Sequence, residues 1–252
     1  MTFGEHTAGV ELLWGTRPQP KRGPKPALSL DQIAQTAIDI ADAEDLGAVS
    51  MEQIGRALNF TKMSLYRYVP GKKELIALMI DRALGTPPGS MTAMPGWRER
   101  LDFWARAMFD AFLAHPWTLP ATVGSRPIGP NELLWAEYAV AALDETPLSP
   151  AQKLDTVAVL AGHVRGIASQ QAAMGNQPEE QLGAMMAGLA MPRADRFPAI
   201  ARTIAAIAAG GPEAGQNQAL DFGLNRILDG LSLIINEDHL MRSGKERKRQ
   251  RS

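Results

Sequence analysis

The chain has 252 residues, enough for one large domain or two of ordinary size, with a formal net charge of −1 at pH 7 and an isoelectric point near 6.4. This balance excludes a protein that is held to nucleic acid by its overall charge, so any such binding needs a local basic surface. The absence of cysteine excludes disulfides, thiolate zinc sites and thiol nucleophiles.

Charged side chains are unevenly distributed along the chain. Residues 1–84 carry ten basic and ten acidic side chains, residues 95–241 carry ten and sixteen, and residues 242–252 carry six and one. The first sixteen residues lack Lys and Arg and contain no long apolar run, which does not fit a signal peptide. No stretch reaches the roughly 20 apolar residues that span a bilayer. We therefore expect a cytoplasmic protein without a membrane partner.

Residues 1–28 are predicted to form a flexible basic arm. The second half of this segment, residues 17–28, contains four basic residues, four prolines and no acidic residue. Such a composition cannot build a packed element. Arg22 and Lys25 are the basic residues closest along the chain to the first predicted helix of the folded body.

That first helix is predicted from residue 30 to about Asp45. Ser29 and Gln32 have the spacing of a capping box, in which each side chain accepts a hydrogen bond from the backbone N–H of the other residue. An apolar stripe with helical spacing follows at Ile33, Ala37, Ile38 and Ala41.

A second, shorter helix is predicted over residues 51–58. Ser50 and Gln53 again have capping-box spacing, and Asn59 follows the helix as a residue that tolerates the left-handed conformation found at helix ends. Three apolar residues share the face that we expect to be buried: Ile54, Ala57 and Leu58.

A third helix is predicted from Thr61, whose hydroxyl can cap it, to Val69, because Pro70 cannot continue a helix. Two short helices joined by a tight turn form a helix-turn-helix. Leu65 and Val69 lie one turn apart and are expected to pack inward. The side chains on the open side are then Lys62, Met63, Ser64, Tyr66, Arg67 and Tyr68.

Positive charge is concentrated around this third helix. The segment from Arg56 to Lys73 holds five Lys or Arg residues and no acidic residue. Hydroxyl groups, two tyrosines and an arginine are typical of mixed contact with phosphates and bases. A charge run alone indicates only a solvated helix face, but in combination with the helix-turn-helix it favours DNA binding.

The same segment resembles the recognition-helix signature of TetR-type repressors. In that signature an L-Y-x-[HY]-[FV] core, here Leu65-Tyr66-Arg67-Tyr68-Val69, is followed by x-x-K-x-x-L, here ending at Lys72 and Leu75. The resemblance extends over residues 30–84 and departs from the family at Asn59, where many members have glycine. By position it implies DNA contacts at Ser50, Thr61, Lys62, Ser64, Tyr66, Tyr68 and Lys72.

Two further groups of residues are candidates for DNA contact. Arg67 lies on the same open side of the third helix. The basic arm with Arg22 and Lys25 can lie in the minor groove beside a helix-turn-helix, or it can be a disordered tail.

The remainder of the chain is predicted to be helical. A helix over 72–84 leads to a linker, residues 85–96, with three prolines, three glycines and no charged residue. Because no strand-like alternation bounded by hairpin turns is present, the predicted fold is all-α. We expect a three-helix helix-turn-helix module with its connecting helix over 29–84, a ligand-binding and dimerisation domain over 95–241, and a basic disordered tail over 242–252. Helices of the second domain are predicted at 97–114, 130–145, 151–174, 178–189, 196–209 and 217–235.

No catalytic or metal-binding motif is found. The four histidines lack metal-ligand spacing, and no glycine-rich phosphate loop or nucleophile elbow is present. The second domain resembles the tetracycline-repressor branch loosely, at Gly124-Ser125-Arg126-Pro127 and at Phe222-Gly223-Leu224. Thr122 stands where that branch has a metal-binding histidine. We expect no metal and no cofactor.

Aromatic and methionine residues of the second domain can line a ligand pocket or can belong to a plain core. His163 and Gln170 lie seven residues apart on one helix face, as pocket groups or as satisfied core residues. The candidate ligand-binding residues are Trp104, Met108, Trp117, Thr122, Trp135, His163 and Gln170.

The last predicted helix contains a heptad-like seam, Leu220, Leu224, Ile227, Leu231 and Ile234. The helix at 151–174 contributes small residues, Ala158, Ala161, Gly162 and Gly166. Two copies of this pair of helices would build a four-helix interface across a two-fold axis. The alternative is that the seam is buried within one chain.

The sequence therefore predicts a ligand-responsive transcriptional regulator, a repressor that binds a palindromic operator in double-stranded DNA as a homodimer and is released by a small-molecule inducer. The alternative is an all-α enzyme that acts on a small apolar molecule. Such an enzyme would turn the molecule over and show no sequence preference on DNA.

Overall fold

The structure, a computed structural model, describes residues 7–15, 28–175, 178–210 and 219–249. These ranges contain twelve α-helices and no strand, so the predicted all-α fold is confirmed for them. The helices are α1 (Thr7–Leu13), α2 (Leu30–Ala43), α3 (Met51–Leu58), α4 (Lys62–Leu65), α5 (Lys72–Leu84), α6 (Gly96–Ala114), α7 (Thr118–Ala121), α8 (Pro130–Ala141), α9 (Pro150–Met174), α10 (Pro178–Ala190), α11 (Pro198–Ala209) and α12 (Ala219–Arg249).

Side-chain caps fix the starts of α2 and α3. At α2 the predicted capping box is complete, since the Ser29 hydroxyl accepts from the Gln32 N–H at 3.1 Å and the Gln32 amide oxygen accepts from the Ser29 N–H at 2.9 Å. At α3 only half of it forms: Ser50 accepts from the Gln53 N–H at 3.2 Å, while the Gln53 amide donates to Glu44 at 3.3 Å. The predicted box at α3 is therefore a single cap.

The turn between α3 and α4 is tight. Asn59 adopts the predicted left-handed conformation, with φ of 59°. A Cβ at Gly55 would lie 2.6 Å from the carbonyl oxygen of Phe60, so the close approach of the two segments requires glycine there. Ile54 is buried and Leu58 half-buried, but Ala57, predicted on the buried face, is exposed, so the buried face of α3 is narrower than predicted.

The α-helical part of the third predicted helix is shorter than expected. It ends at Leu65, and the chain continues in tight turns in which the N–H groups of Tyr68 and Val69 donate to the Leu65 carbonyl at 2.9 and 3.0 Å. The inward positions are as predicted, since Leu65 and Val69 are fully buried. Their burial fixes which side of α4 stays open.

Two hydrophobic cores organise the molecule. The N-terminal core is built by helices α1 to α5 around Ile33, Ile54 and Met79, and it also includes Trp117 from beyond α6. The C-terminal core is built by α6, α8, α9 and α12. The predicted linker is ordered between them: a 3-10 helix, Gly89–Ala93, buries Met91 in the C-terminal core. The helix-turn-helix module and the second domain are therefore in direct contact.

The predicted arm over residues 1–28 is corrected at its start. Residues Thr7–Leu13 form α1, which packs against α5 and buries Leu12. Trp14 donates its indole N–H to the Ile128 carbonyl at 3.1 Å. The apolar run that makes this contact is too short to be recognised as a helix from its sequence. Arg22 and Lys25 lie outside the described residues.

The C-terminal helix also differs from the prediction. α12 continues to Arg249, into the segment predicted as a disordered tail. Leu224 and Leu231 of the predicted seam are buried in the C-terminal core of their own chain, with Leu228 beside them, so the seam assignment is wrong for those residues. The apolar side chains that α12 leaves exposed include Phe222, 68% exposed, and Leu233, 65% exposed. The heptad spacing identified an apolar face but not the element that covers it.

No helix in the described part of the chain is long and apolar enough to cross a membrane.

The α9–α12 contact depends on a glycine. His163 on α9 lies 3.1 Å through its Nε2 from the Leu220 carbonyl, and a Cβ at Gly223 would lie 2.1 Å from His163 Cε1. We expect Gly223→Ala to lower the free energy of unfolding by about 1–3 kcal/mol, because the added methyl group overpacks the contact. Urea unfolding monitored by circular dichroism measures this loss.

The same measurement on two further variants isolates the cause. In a His163→Ala background Gly223→Ala should cost much less, because the obstructing ring is gone. Gly183→Ala on α10, where nothing lies within 4 Å of the new methyl group, is the matched control and should be neutral or slightly stabilising. Strict additivity of Gly223→Ala and His163→Ala would contradict the proposed steric conflict.

Candidate functional site

The open side of α4 forms an exposed, basic surface. Lys62 and Arg67 are exposed, and Met63 and Tyr66 are 69% and 43% exposed. Among the described residues, Lys62 and Arg67 make no ion pair with an acidic side chain. Within the described basic segment from Arg56 to Lys73, only Arg56 forms such a pair, with Glu52 at 3.5 Å. Four large side chains are thus available on one face. The positive charges of Lys62 and Arg67 are not neutralised by an acidic side chain among the described residues.

Other predicted DNA contacts have structural roles as well. The Thr61 hydroxyl accepts from the Ser64 N–H at 3.2 Å and so caps α4, while the Ser64 hydroxyl donates to the Thr61 carbonyl at 2.6 Å. Ser50 caps α3. Tyr68 is half-buried against the N-terminal core. Lys72 is exposed at the start of α5.

The structure does not bring the seven candidate ligand-binding residues together. Trp104 and Trp135 pack edge to face, with ring centroids 6.3 Å apart, in the C-terminal core. The indole N–H of Trp104 donates to the Trp135 carbonyl at 2.8 Å and that of Trp135 to the Gly85 carbonyl at 3.0 Å. Trp117 belongs to the N-terminal core instead. Both rings of the tryptophan pair have their polar atoms satisfied within the protein.

The remaining four candidates are also dispersed. Met108 packs against the C-terminal core, and His163 binds the backbone of α12. Thr122 is buried and donates to the Leu119 carbonyl at 3.2 Å. Gln170 is exposed on α9.

An open pocket of about 470 Å³ is present nearby in the chain, but none of the seven candidate residues lines it. One wall is the segment from Pro116 to Val123, and the other is the C-terminal half of α9. The lining is apolar apart from Ser169 and Arg165. Its volume lies in the range of small-molecule sites in proteins, and the cleft is wide open to solvent.

Arg165 was not identified from the sequence. Its guanidinium lies over the ring of Phe112, 5.7 Å from the centroid, and donates to the Thr122 carbonyl at 3.4 Å. Burial lowers the pKa of Arg165, and the positive charge of Arg126 lowers it further. A signal was present, because Arg165 is the one charged residue between Asp155 and the end of α9.

Besides the Trp14–Ile128 hydrogen bond, two polar contacts connect α2 and α5 to the chain on either side of the Pro116–Val123 wall. The first is the buried carboxylate of Asp81 on α5, which accepts from the N–H groups of Asn131 and Glu132 at 2.9 and 3.1 Å. It caps the N-terminus of α8, where the orphan N–H groups and the helix dipole favour a negative charge. A Cβ at Gly129 would lie 2.1 Å from the Asp81 carboxylate, so glycine is required beside the cap.

The second contact joins α2 to the start of the pocket segment. Asp42 accepts from the Trp117 indole N–H at 2.7 Å, and the Nδ1 atom of His115 lies 2.9 and 3.0 Å from its two carboxylate oxygens. Asp42 therefore attaches the pocket wall, residues 116–123, to α2 at Trp117. Asp81 attaches the chain to α5 again beyond this wall, at the start of α8.

Between these attachments an ion pair fixes the loop before α8. Arg126 donates to Glu132 at 2.6 Å, and both side chains are largely buried. This pair uses the carboxylate of Glu132, the acidic residue whose charge acts on Arg165.

Comparison with known proteins places these features in a family context. Residues 92–235 match the family model described as "Tetracyclin repressor-like, C-terminal domain". The chain is 34% identical over 242 residues to the HTH-type transcriptional repressor DrrR1 of Streptomyces coeruleorubidus, with 92% of this chain and 87% of that protein covered. It is 27% identical over 186 residues to an HTH-type transcriptional regulator of Saccharopolyspora erythraea, covering 73% and 78%.

A solved structure agrees in fold. The TetR family protein ActR of Streptomyces coelicolor, determined in complex with actinorhodin, superposes with a TM-score of 0.67 at 25% identity. The match covers 84% of this chain and 98% of ActR.

Substitutions on α4 test the basic surface. We expect Tyr66→Ala to weaken binding to all duplexes, because a phosphate contact carries no sequence information, and Lys62→Ala to alter the preference at one base pair by about 1–3 kcal/mol. Fluorescence anisotropy with labelled duplexes, at one fixed salt concentration, measures both effects. Arg202→Ala on α11 removes an equal charge elsewhere and serves as the control. Unchanged affinity in the Tyr66→Ala, Lys62→Ala double variant would show that DNA docks on another surface.

Asp81 is expected to make stability depend on pH. Burial raises the pKa of its carboxyl above the ordinary value of 3.8, by more than its hydrogen bonds from the Glu132 and Asn131 N–H groups lower it. The folded chain thus binds the carboxyl proton of Asp81 more tightly than the unfolded chain does. This binding stabilises the fold at pH values below the pKa of the unfolded chain, and the stabilisation is lost as pH rises through the pKa of the folded chain.

Asp81→Asn keeps an oxygen that can cap α8 and removes the titration. The free energy of unfolding of this variant, relative to wild type, should therefore be higher at about pH 7 than at about pH 4. Glu137→Gln, which removes an exposed carboxylate from α8, the helix that Asp81 caps, is the control. Urea unfolding at the two pH values gives the comparison, and a difference for Asp81→Asn that does not change with pH would rule out the buried ionisation as its cause.

Proposed function

Because the chain belongs to the tetracycline-repressor-like (TetR) family of transcriptional regulators, a family of regulators rather than enzymes, we propose that its operator contacts lie on α4 and that its effector binds in the Arg165 pocket. Members of this family bind DNA operators as dimers and respond to small molecules, and the chain is a ligand-responsive transcriptional repressor of this kind. We place its action in the cytoplasm, where its operator is found.

The observation that carries the operator assignment is the open side of α4. Lys62, Tyr66 and Arg67 extend from it, and no acidic side chain in the described part of the chain pairs with either cation. Lys72 and the caps Ser50 and Thr61 flank it, as the family signature implies. In a dimer, two such surfaces would dock in successive major grooves of a palindromic site.

Exposed apolar side chains support the dimer. α9 and α12 leave Leu154, Val159, Phe222 and Leu233 uncovered in the single chain. In the proposed dimer, these exposed side chains would be covered by the partner subunit. Of the small residues predicted for this face, Ala158, Gly162 and Gly166 are exposed and permit close approach of a second copy of α9, whereas Ala161 packs against the C-terminal core.

The ligand assignment rests on position. The pocket lies against the segment that Asp42 and Asp81 attach to the helix-turn-helix module. A molecule that separates Pro116–Val123 from α9 would therefore shift α2 and α5. Rotation of one module relative to its partner would prevent both from docking on half-sites a fixed distance apart.

Selection of bound sequences from random duplex DNA tests the function. We expect enrichment of a palindrome with two half-sites, and the absence of any sequence preference would refute operator recognition. Actinorhodin, the ligand in the ActR structure, is the first molecule to test on the selected operator.

Thermodynamic reciprocity then tests the response. A molecule that releases the operator must bind the free protein more tightly than the protein–operator complex. The ratio of these two affinities equals the factor by which the molecule weakens operator binding, and we expect it to correspond to a coupling free energy of about 1–3 kcal/mol. Titration of both forms measures this factor, and equal affinities would show that the molecule is not an inducer. Recovery of the unchanged molecule after incubation distinguishes a regulator from the alternative enzyme.

A further inference from the structure

Arg165 presents an uncompensated charge at an apolar pocket. Its side chain is half-buried, and the two contacts described for its guanidinium are the ring of Phe112 and the Thr122 carbonyl. No acidic side chain lies within ion-pair distance of it among the described residues. Half-burying a guanidinium without a carboxylate is unfavourable, because neither water nor a counter-ion fully replaces its hydration.

The nearest negative charge is already engaged. Glu132 forms a two-oxygen ion pair with Arg126, one bond of which is 2.6 Å long. Arg126 and Arg165 together therefore face one carboxylate, and the excess positive charge remains on Arg165. The lowered pKa of Arg165 has the same origin, since burial and the charge of Arg126 both disfavour its cationic form.

We propose that Arg165 selects an anionic ligand: an organic acid with an apolar body, whose anionic group pairs with the guanidinium. The proposal rests on the proposed function, because it names the chemical class of the effector for the same pocket. Pro116, Leu119, Pro120 and Val123 form the wall for the apolar body. The planar fork of arginine suits two parallel hydrogen bonds to an anionic group.

The charge requirement is tested with a matched pair of fluorescent probes. 1-Anilinonaphthalene-8-sulfonate is anionic, and N-phenyl-1-naphthylamine has the same ring system without the sulfonate. We expect Arg165→Gln to weaken binding of the anionic probe by about tenfold, the loss of a charge-assisted contact, and to change binding of the neutral probe by less than about twofold. Arg165→Lys, which keeps the charge without the fork, should retain part of the anionic affinity.

Control variants locate the effect. Arg196→Gln removes another arginine that lies over an aromatic ring, Phe197 at 5.4 Å, but that is exposed and does not line the pocket. It should leave both affinities unchanged. Ala172→Trp fills the pocket from α9 and should weaken both probes. Thermal unfolding of each variant verifies that it is folded.

Each outcome decides the proposal. A selective loss of the anionic probe in Arg165→Gln supports it. Equal effects on both probes, no effect on either, or failure of the wild-type protein to bind the anionic probe at millimolar concentration would overturn it. Operator binding by the same variants is measured separately: sequence-specific DNA binding with no charge selectivity refutes the anionic ligand alone, whereas absence of DNA binding refutes the proposed function.

Discussion

The buried carboxylate of Asp81 is a central contact between the two parts of this protein. Asp81 is 4% exposed, and it is stabilised there by the N–H groups at the start of α8. The cap requires glycine at position 129, and Asn131 returns a hydrogen bond to the Asp81 carbonyl at 3.0 Å. Since α5 follows directly on the segment that we propose to contact DNA, this cap connects the start of α8 to the helix-turn-helix module.

The contact of Asp42 with Trp117 and His115 completes this arrangement. Trp117 packs in the N-terminal core although it belongs, by sequence, to the ligand-binding part. The chain between the two attachments contains α7, the ion-paired loop and one wall of the pocket. In the proposed response, a displacement of that wall would act on α2 through Asp42 and on α5 through Asp81.

Local sequence signals predicted the helices well, and long-range partners poorly. The capping box at Ser29 and the left-handed residue Asn59 form as expected, because each depends on atoms a few residues apart. The aromatic residues Trp104 and Trp135 were correctly recognised as interior, but their partners are each other and a linker carbonyl rather than a ligand. Periodicity reports that a side chain is buried and does not report what buries it.

The same limit explains Arg165 and the dimer seam. A single arginine in a helix of small residues is not a recognisable motif. Arg165 lacks a carboxylate partner because Glu132, 33 residues away in the chain, forms its ion pair with Arg126 instead. The sequence alone does not show which of the two arginines pairs with Glu132.

α12 supplies the remaining constraint on how a signal can travel. Its inner residues, Leu224, Leu228 and Leu231, fill the C-terminal core, while Phe222 and Leu233 are exposed. If the partner subunit covers these exposed residues, as we propose, α12 has little freedom, because movement toward one side opens a void at the other. The α9–α12 pair would then be the fixed base of the proposed dimer. The elements left to move in the proposed response are the pocket wall and the helix-turn-helix module, which are connected through the contacts of Asp42 and Asp81.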